Sequence, residues 1–151
     1  MGVMQVPRKV DYALRAAIYL TTQEPQKGCF SSGEIAENQM IPKKFLEKII
    51  QDLIRNGLVK SKRGPNGGYS LARSPHEISF QDVIEAVEGP IALNVCVDSK
   101  LSCDLLPRCT MSGIWHEVQR KVVDVFARTT LEDVKMTPCQ AKSNASFSSA
   151  A

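Results

Sequence analysis

"LVKSKRGPNGGYSLAR", residues 58–73, consists of two short β-prone runs on either side of Gly-Pro-Asn-Gly-Gly. Gly64, Pro65, Asn66 and Gly67 supply the unusual backbone angles of a tight turn, so the stretch reads as a β-hairpin. Its tip carries Lys62 and Arg63 and almost nothing apolar. Small residues there let backbone approach a phosphate or a groove wall of double-stranded DNA closely, and Arg63 is long enough to enter the groove. Directly before it, "PKKFLEKIIQDLIRNG" (42–57) sets Phe45, Leu46, Ile49, Ile50, Leu53 and Ile54 on a broad apolar helical face. Pro42 suits a first helical turn, and Asn56 with Gly57 ends the helix. Upstream, Ser31 and Glu34 form an S-x-x-E capping box opening a short helix, "SGEIAENQ" (32–39), with a brief turn around Met40 and Ile41. Two helices joined by so short a turn, the second basic on its outer face, match helix-turn-helix geometry, although an ordinary αα-hairpin shares that pattern. A basic hairpin following at once selects the winged form.

The rest of the chain is consistent with one small domain carrying an appendage. "VPRKVDYALRAAIYLTTQ" (6–23) reads as a first helix, with Val10, Ala13, Leu14, Ala17 and Ile18 at helical spacing, and "EPQKGCF" breaks it. In "SPHEISFQDVIEAVEGP" (74–90), Ser79 and Asp82 cap a helix that Gly89 and Pro90 end. "SGIWHEVQRKVVDVFARTTLEDV" (112–134) reads as one long helix with an apolar stripe of Ile114, Trp115, Val118, Val122, Val125 and Phe126. A small winged domain offers little to cover that stripe, so a second copy packing against it is expected. The expected fold is therefore mostly α with a small β-hairpin: a winged helix-turn-helix over 1–90, a cysteine loop over 91–112, a dimerisation helix over 113–134 and a disordered Ser/Ala-rich tail over 135–151.

Composition narrows the setting. Of 151 residues, 43% are hydrophobic and 23% charged, near globular averages. No apolar run approaches the roughly 20 residues of a membrane helix. The N-terminal stretch is too polar for a secretory core, and Val6 stands where a myristoylation motif wants Ser or Thr. A cytoplasmic location without membrane partners follows as the expectation. Eight cations against Glu47 and Asp52 give residues 41–73 a net charge of +6, leaving −3 for the remainder of a chain whose total is +3. A basic middle in an acidic remainder suits an anionic partner. Enzymatic chemistry finds no support: His76 and His116 lie in different segments, and neither H-E-x-x-H nor G-x-S-x-G occurs.

Three of the five cysteines, Cys96, Cys103 and Cys109, fall within "VCVDSKLSCDLLPRC" (95–109), spaced C-x6-C-x5-C. Structural zinc usually shows tighter C-x2–4-C pairs. A disulfide would be transient in a reducing compartment. Buried structural thiols suit the polar surroundings poorly, whereas a flexible loop can bring soft thiolates around an iron–sulfur cluster. The spacing alone leaves a metal site and plain thiols both open.

The first helix "DYALRAAIYL" (11–20), "IPKKFLEKII" (41–50), "SKRGPNGGYSLAR" (61–73) and the cysteine loop ahead of the long helix together resemble the IscR/NsrR family of winged-helix transcription regulators, over about residues 4–134. The resemblance implies a homodimer that binds a pseudo-palindromic operator in double-stranded DNA, its long helices crossing at the interface. It implies that the loop holds a 4Fe-4S or 2Fe-2S cluster through Cys96, Cys103 and Cys109. It also makes the third helix a recognition helix facing DNA with Lys43, Lys44, Glu47 and Lys48. Glu47 matches a base-contacting Glu of the family's Fe–S-biogenesis branch and would accept from a cytosine amino group; an ion pair to Lys43 or Lys44 is the alternative use of that carboxylate. The lysines would contact phosphates, while Arg63 and Asn66, beside Lys62 in the wing, would visit the minor groove.

The fourth ligand is where the sequence departs from one branch. Where the biogenesis branch has a His three residues after the third cysteine, this chain has Ser112, and the nearest histidine is His116. The nitric-oxide-sensing branch uses an Asp from the partner's first helix, and Asp11 occupies that position. The order of candidates is Asp11 of the partner subunit, then His116, then an external small ligand; Cys29 and Cys139 are expected not to ligate. The resemblance thus implies a regulator whose operator binding follows nitric oxide, redox state or iron supply. The alternative is a cluster-free regulator of the same fold, responding through thiol oxidation or a small-molecule or protein partner.

Overall fold

Leu46, Ile49, Ile50 and Leu53 are completely buried, and their spacing puts them on one stripe of a single helix. The computed structural model describes residues 2, 4–22 and 28–136. In it the helices are α1 (Arg8–Tyr19), α2 (Ser32–Gln39), α3 (Lys43–Arg55), α4 (Phe80–Glu88) and α5 (Ser112–Arg128), with a hairpin of β1 (Val59–Lys62) and β2 (Gly68–Leu71) between α3 and α4. α1 brings Val10, Ala13, Ala16 and Ala17 to the core, and its small side chains allow close approach. α2 adds Ile35 and Ala36, α4 adds Val83, Ile84 and Val87, and the hairpin base adds Leu58 and Val59. The expected winged helix-turn-helix is what forms.

Polar contacts fix how these helices cross. Lys9 of α1 donates to the carbonyl of Val87, in the last turn of α4 where the helix dipole is negative, and its Nζ lies 3.1 Å from Asp52 of α3. The second oxygen of Asp52 takes Arg55 at 3.0 Å. One lysine and one aspartate thereby tie three helices together.

Both expected capping boxes are present. Ser31 accepts from the Glu34 backbone N–H at 3.2 Å while its own N–H donates to the Glu34 carboxylate at 3.0 Å. Ser79 and Asp82 repeat the arrangement at 3.1 and 2.9 Å. Phe45 departs from the expected apolar face: it is 45% exposed, its ring set edge-on to Tyr12 at 5.9 Å.

The long helix is shorter than the sequence suggests, ending at Arg128 instead of 134. Thr129 turns extended, and Thr130 pairs with Ser79 in an isolated antiparallel bridge. The flanking hydrogen bonds run from Phe80 N–H to the Thr129 carbonyl and from Leu131 N–H to the Ile78 carbonyl, both 2.9 Å. The carboxylate of Asp133 accepts from the Thr130 N–H at 2.7 Å and the Thr130 hydroxyl at 2.9 Å, and these bonds hold its carboxyl below the usual aspartate range. The β-branched threonines favour this extended corner over another helical turn. Its consequence is to drive Leu131 into the core, where it is fully buried. The first helix is also shorter than expected, and the tail beyond Met136, with Cys139, lies outside the described residues.

Leu131 is thus the plug that fastens the C-terminal end of α5 to the winged domain. Leu131→Ala should cost about 2–5 kcal/mol of folding stability. Urea denaturation measures this directly, and a loss within experimental error of zero would contradict the assignment.

Candidate nucleic-acid interface and cysteine loop

Burial of one α3 stripe turns the opposite one outward. Lys43, Lys44, Glu47 and Lys48 are all exposed, and Gln51 and Arg55 continue the same face. Among the described residues Glu47 forms no ion pair with Lys43 or Lys44, so its carboxylate is available to an outside donor. The turn ahead of α3 is set by Met40, which adopts a left-handed backbone (φ 53°), and by Ile41, whose N–H reaches back to the Ala36 carbonyl at 2.9 Å. This is a Schellman-type closure, and buried Ile41 completes it. The angle between α2 and α3 is therefore fixed by backbone bonds and one apolar plug.

In the wing, Val59 pairs with Leu71 and Lys62 with Gly68. The tip closes through a bond from Gly67 N–H to the Gly64 carbonyl at 2.9 Å, with Pro65 at the second turn position. Lys62, Arg63 and Asn66 are exposed there. The base of the wing has an anchor that sequence reasoning missed. Phe30 exchanges two backbone hydrogen bonds with Tyr69, at 2.9 and 2.8 Å, acting as one residue of a third strand. A Cβ on Gly68 (φ 145°) would lie 2.5 Å from the Phe30 carbonyl oxygen, which is why glycine stands there.

The cysteine loop leaves α4 and is caught at once by α5. The amide of Gln119 donates to the Ile91 carbonyl and accepts from the Leu93 N–H at 3.0 Å, a clamp that no sequence signal announced. Cys96 lies in a single 3-10 turn, Val95–Val97, opened by Asn94, and Cys109 closes a second, Leu106–Arg108. Cys96, Cys103 and Cys109, like Cys29, are free thiols of intermediate exposure. Ser112 uses its hydroxyl to cap the Cys109 carbonyl at 3.2 Å. His116 is exposed, and its Nδ1 lies 2.8 Å from the Ser112 carbonyl, which can only accept. Nδ1 therefore carries the proton, leaving Nε2 as the atom able to ligate. Asp11 faces solvent beside Arg15 at 3.2 Å, whose guanidinium lies over the Tyr12 ring.

The three thiols have the donor chemistry of an iron–sulfur site: soft, unoxidised and partly open. Among the described residues no three His, Cys, Asp or Glu side chains are gathered closely enough to hold a metal ion. A cluster places different thiolates on different irons, so more widely separated cysteines still suit it.

Among the described residues α5 has no fully buried side chain; Ile114 is 63% and Val125 44% exposed. Its local hold is the stack of Phe126 on Phe80, centroids 6.4 Å apart. No described helix is long and apolar enough to cross a membrane.

An exposed basic third helix, a basic wing and a helix-turn-helix core together make this a winged helix-turn-helix protein. Residues 6–136 match the family model Rrf2, described as an iron-dependent transcriptional regulator, and the chain belongs to that family. It is 31% identical over 132 residues to the HTH-type transcriptional regulator NsrR of Shouchella clausii, covering 87% of this chain and 88% of that one. Among solved structures it is similar to CymR of B. subtilis, described as the global cysteine regulator, with TM-score 0.70, 29% identity, and 96% and 98% of the two chains covered. It is also similar to IscR of T. potens, with TM-score 0.69, 30% identity, and 87% and 85% covered.

Gly68→Ala should detach the wing base from Phe30 while leaving the helices intact, weakening binding of double-stranded DNA on the order of tenfold. Fluorescence anisotropy with a labelled duplex, beside a circular dichroism spectrum, reads both effects. Unchanged affinity would contradict the wing's role.

Proposed function

We propose that this regulator binds a pseudo-palindromic operator as a homodimer, under control of an iron–sulfur cluster held by Cys96, Cys103 and Cys109. The observation that carries the reading is a loop of three free thiols clamped by Gln119 onto a helix on which Ile114, Val118 and Val125 stay exposed among the described residues. A second copy is the natural cover for Ile114, Val118 and Val125. That pairing would also bring another subunit toward the loop, and Asp11 of the partner subunit is the preferred fourth ligand, ahead of His116. When bound, the cluster supplies a redox- and nitric-oxide-sensitive link between its ligands. Lys43, Lys44 and Lys48 neutralise phosphates of the major groove, and Glu47 accepts from a cytosine amino group. Lys62, Arg63 and Asn66 contact the adjacent minor groove and backbone. Because α5 joins the loop through Gln119 and the winged domain through Leu131, a change in the loop's attachment alters the separation of two recognition helices. The operator reads that separation twice.

The second reading is a cluster-free regulator acting through thiol oxidation or a small-molecule or protein partner. Likeness to the global cysteine regulator CymR favours it, together with three partly exposed thiols that are not gathered around one point.

Anaerobic purification of the full chain, with iron, sulfide and absorbance measurements, separates the two. Brown protein containing both elements, and losing them in Cys96→Ala, Cys103→Ala and Cys109→Ala variants that melt normally, is the expected result. Colourless, iron-free protein after attempted reconstitution would overturn the cluster and leave the second reading.

A further inference from the structure

Lys44, Glu47, Lys48 and Gln51 stand at i, i+3, i+4 and i+7, so they form one exposed stripe along α3, the helix whose opposite face is buried. A recognition helix lying in a groove offers such a stripe to the base edges. Gln51 is the one neutral amide on it. Two other glutamines have work within the chain: Gln81 donates to Glu85 at 2.9 Å, and Gln119 holds the cysteine loop. The Gln51 amide makes no hydrogen bond among the described residues. Its neighbours one turn on either side are Glu47, which is unpaired, and Arg55, whose guanidinium is held by Asp52 at 3.0 Å. Arg55 stands exposed at the end of the stripe, where a guanidinium suits a phosphate flanking whatever Gln51 meets.

We infer that Gln51 is a specificity-determining residue that reads an adenine in each half-site. A glutamine amide presents one donor and one acceptor side by side, the complement of adenine N7 and N6 in the major groove. Gln51 lies four residues, about 6 Å of helix axis, beyond Glu47. At about 3.4 Å per base step, its adenine falls one or two base pairs from the cytosine that Glu47 contacts. The lysines of the stripe, as single point charges on phosphates, carry no comparable sequence information. The inference rests on the proposed DNA-binding role of α3 and adds a base identity to it.

Selection of binding sites from a pool of duplexes with a randomised centre tests it, using the full chain as wild type, Gln51→Ala and Gln51→Glu. Wild type should enrich a half-site with an adenine at that offset from a cytosine. Gln51→Ala should lose preference at that one position, on the order of tenfold, while other positions, melting temperature and the salt dependence of binding stay as they were. Gln51→Glu should move the preference from adenine to cytosine, because a carboxylate only accepts. An unaltered motif with Gln51→Ala overturns the inference and leaves the DNA-binding reading intact. Wild type that enriches no sequence overturns that reading, and the inference falls with it.

Discussion

The structure depends on the complete burial of Leu46, Ile49, Ile50 and Leu53 along one side of α3. Each such side chain contributes roughly 2 kcal/mol by leaving water, so the rotation of α3 about its axis is not free. With that side fixed inward, Lys43, Lys44, Glu47, Lys48 and Gln51 have no choice but to face outward. The core of the domain and its candidate reading surface are two sides of one constraint. Backbone bonds at Ile41 and the Asp52 link to Lys9 then fix the helix against its neighbours.

A second constraint acts at the other end of the chain. α5 is fastened at its C-terminal end by Leu131 and the Ser79–Thr130 bridge, and it takes hold of the cysteine loop through Gln119, yet it has no fully buried side chain among the described residues. A helix so attached touches both the loop and the winged domain while Ile114, Val118 and Val125 stay exposed among the described residues. That arrangement suits a regulator in which chemistry at the thiols is read as a change in helix separation. It also suits one in which thiol oxidation alone does so, since the coupling runs through the same contacts.

Local signals in the sequence carried most of the fold. The capping boxes at Ser31 and Ser79, the α3 apolar stripe and the glycine-rich wing each depend on residues a few positions apart, and each forms as expected. What sequence reasoning missed depends on distant partners. Phe30 becomes a strand residue only because Tyr69 arrives beside it. Thr129 leaves the helix because Phe80 and Ile78 offer backbone partners and Leu131 finds room in the core. The periodicity of residues 112–126 extends naturally through "TTLEDV", and the paired β-branched threonines are too weak a local signal to mark the break. At the site, the exposure of the α3 cations and of Lys62, Arg63 and Asn66 was legible from pattern. How Cys96, Cys103 and Cys109 lie relative to one another was not, because loop spacing sets how far apart ligands can be and not where they converge; among the described residues they are not gathered around one point. Gln51 was hidden by its neutrality, since charge was the signal that drew attention to α3.

The central claim is that two copies of this winged domain, joined through α5, read two half-sites at once. Hydroxyl-radical footprinting of the full chain on a selected duplex tests it most directly. Two protected patches on one face of the DNA, with centres separated by about 10–10.5 base pairs or a multiple of that, are the expected result. A single protected patch at saturating protein would contradict it.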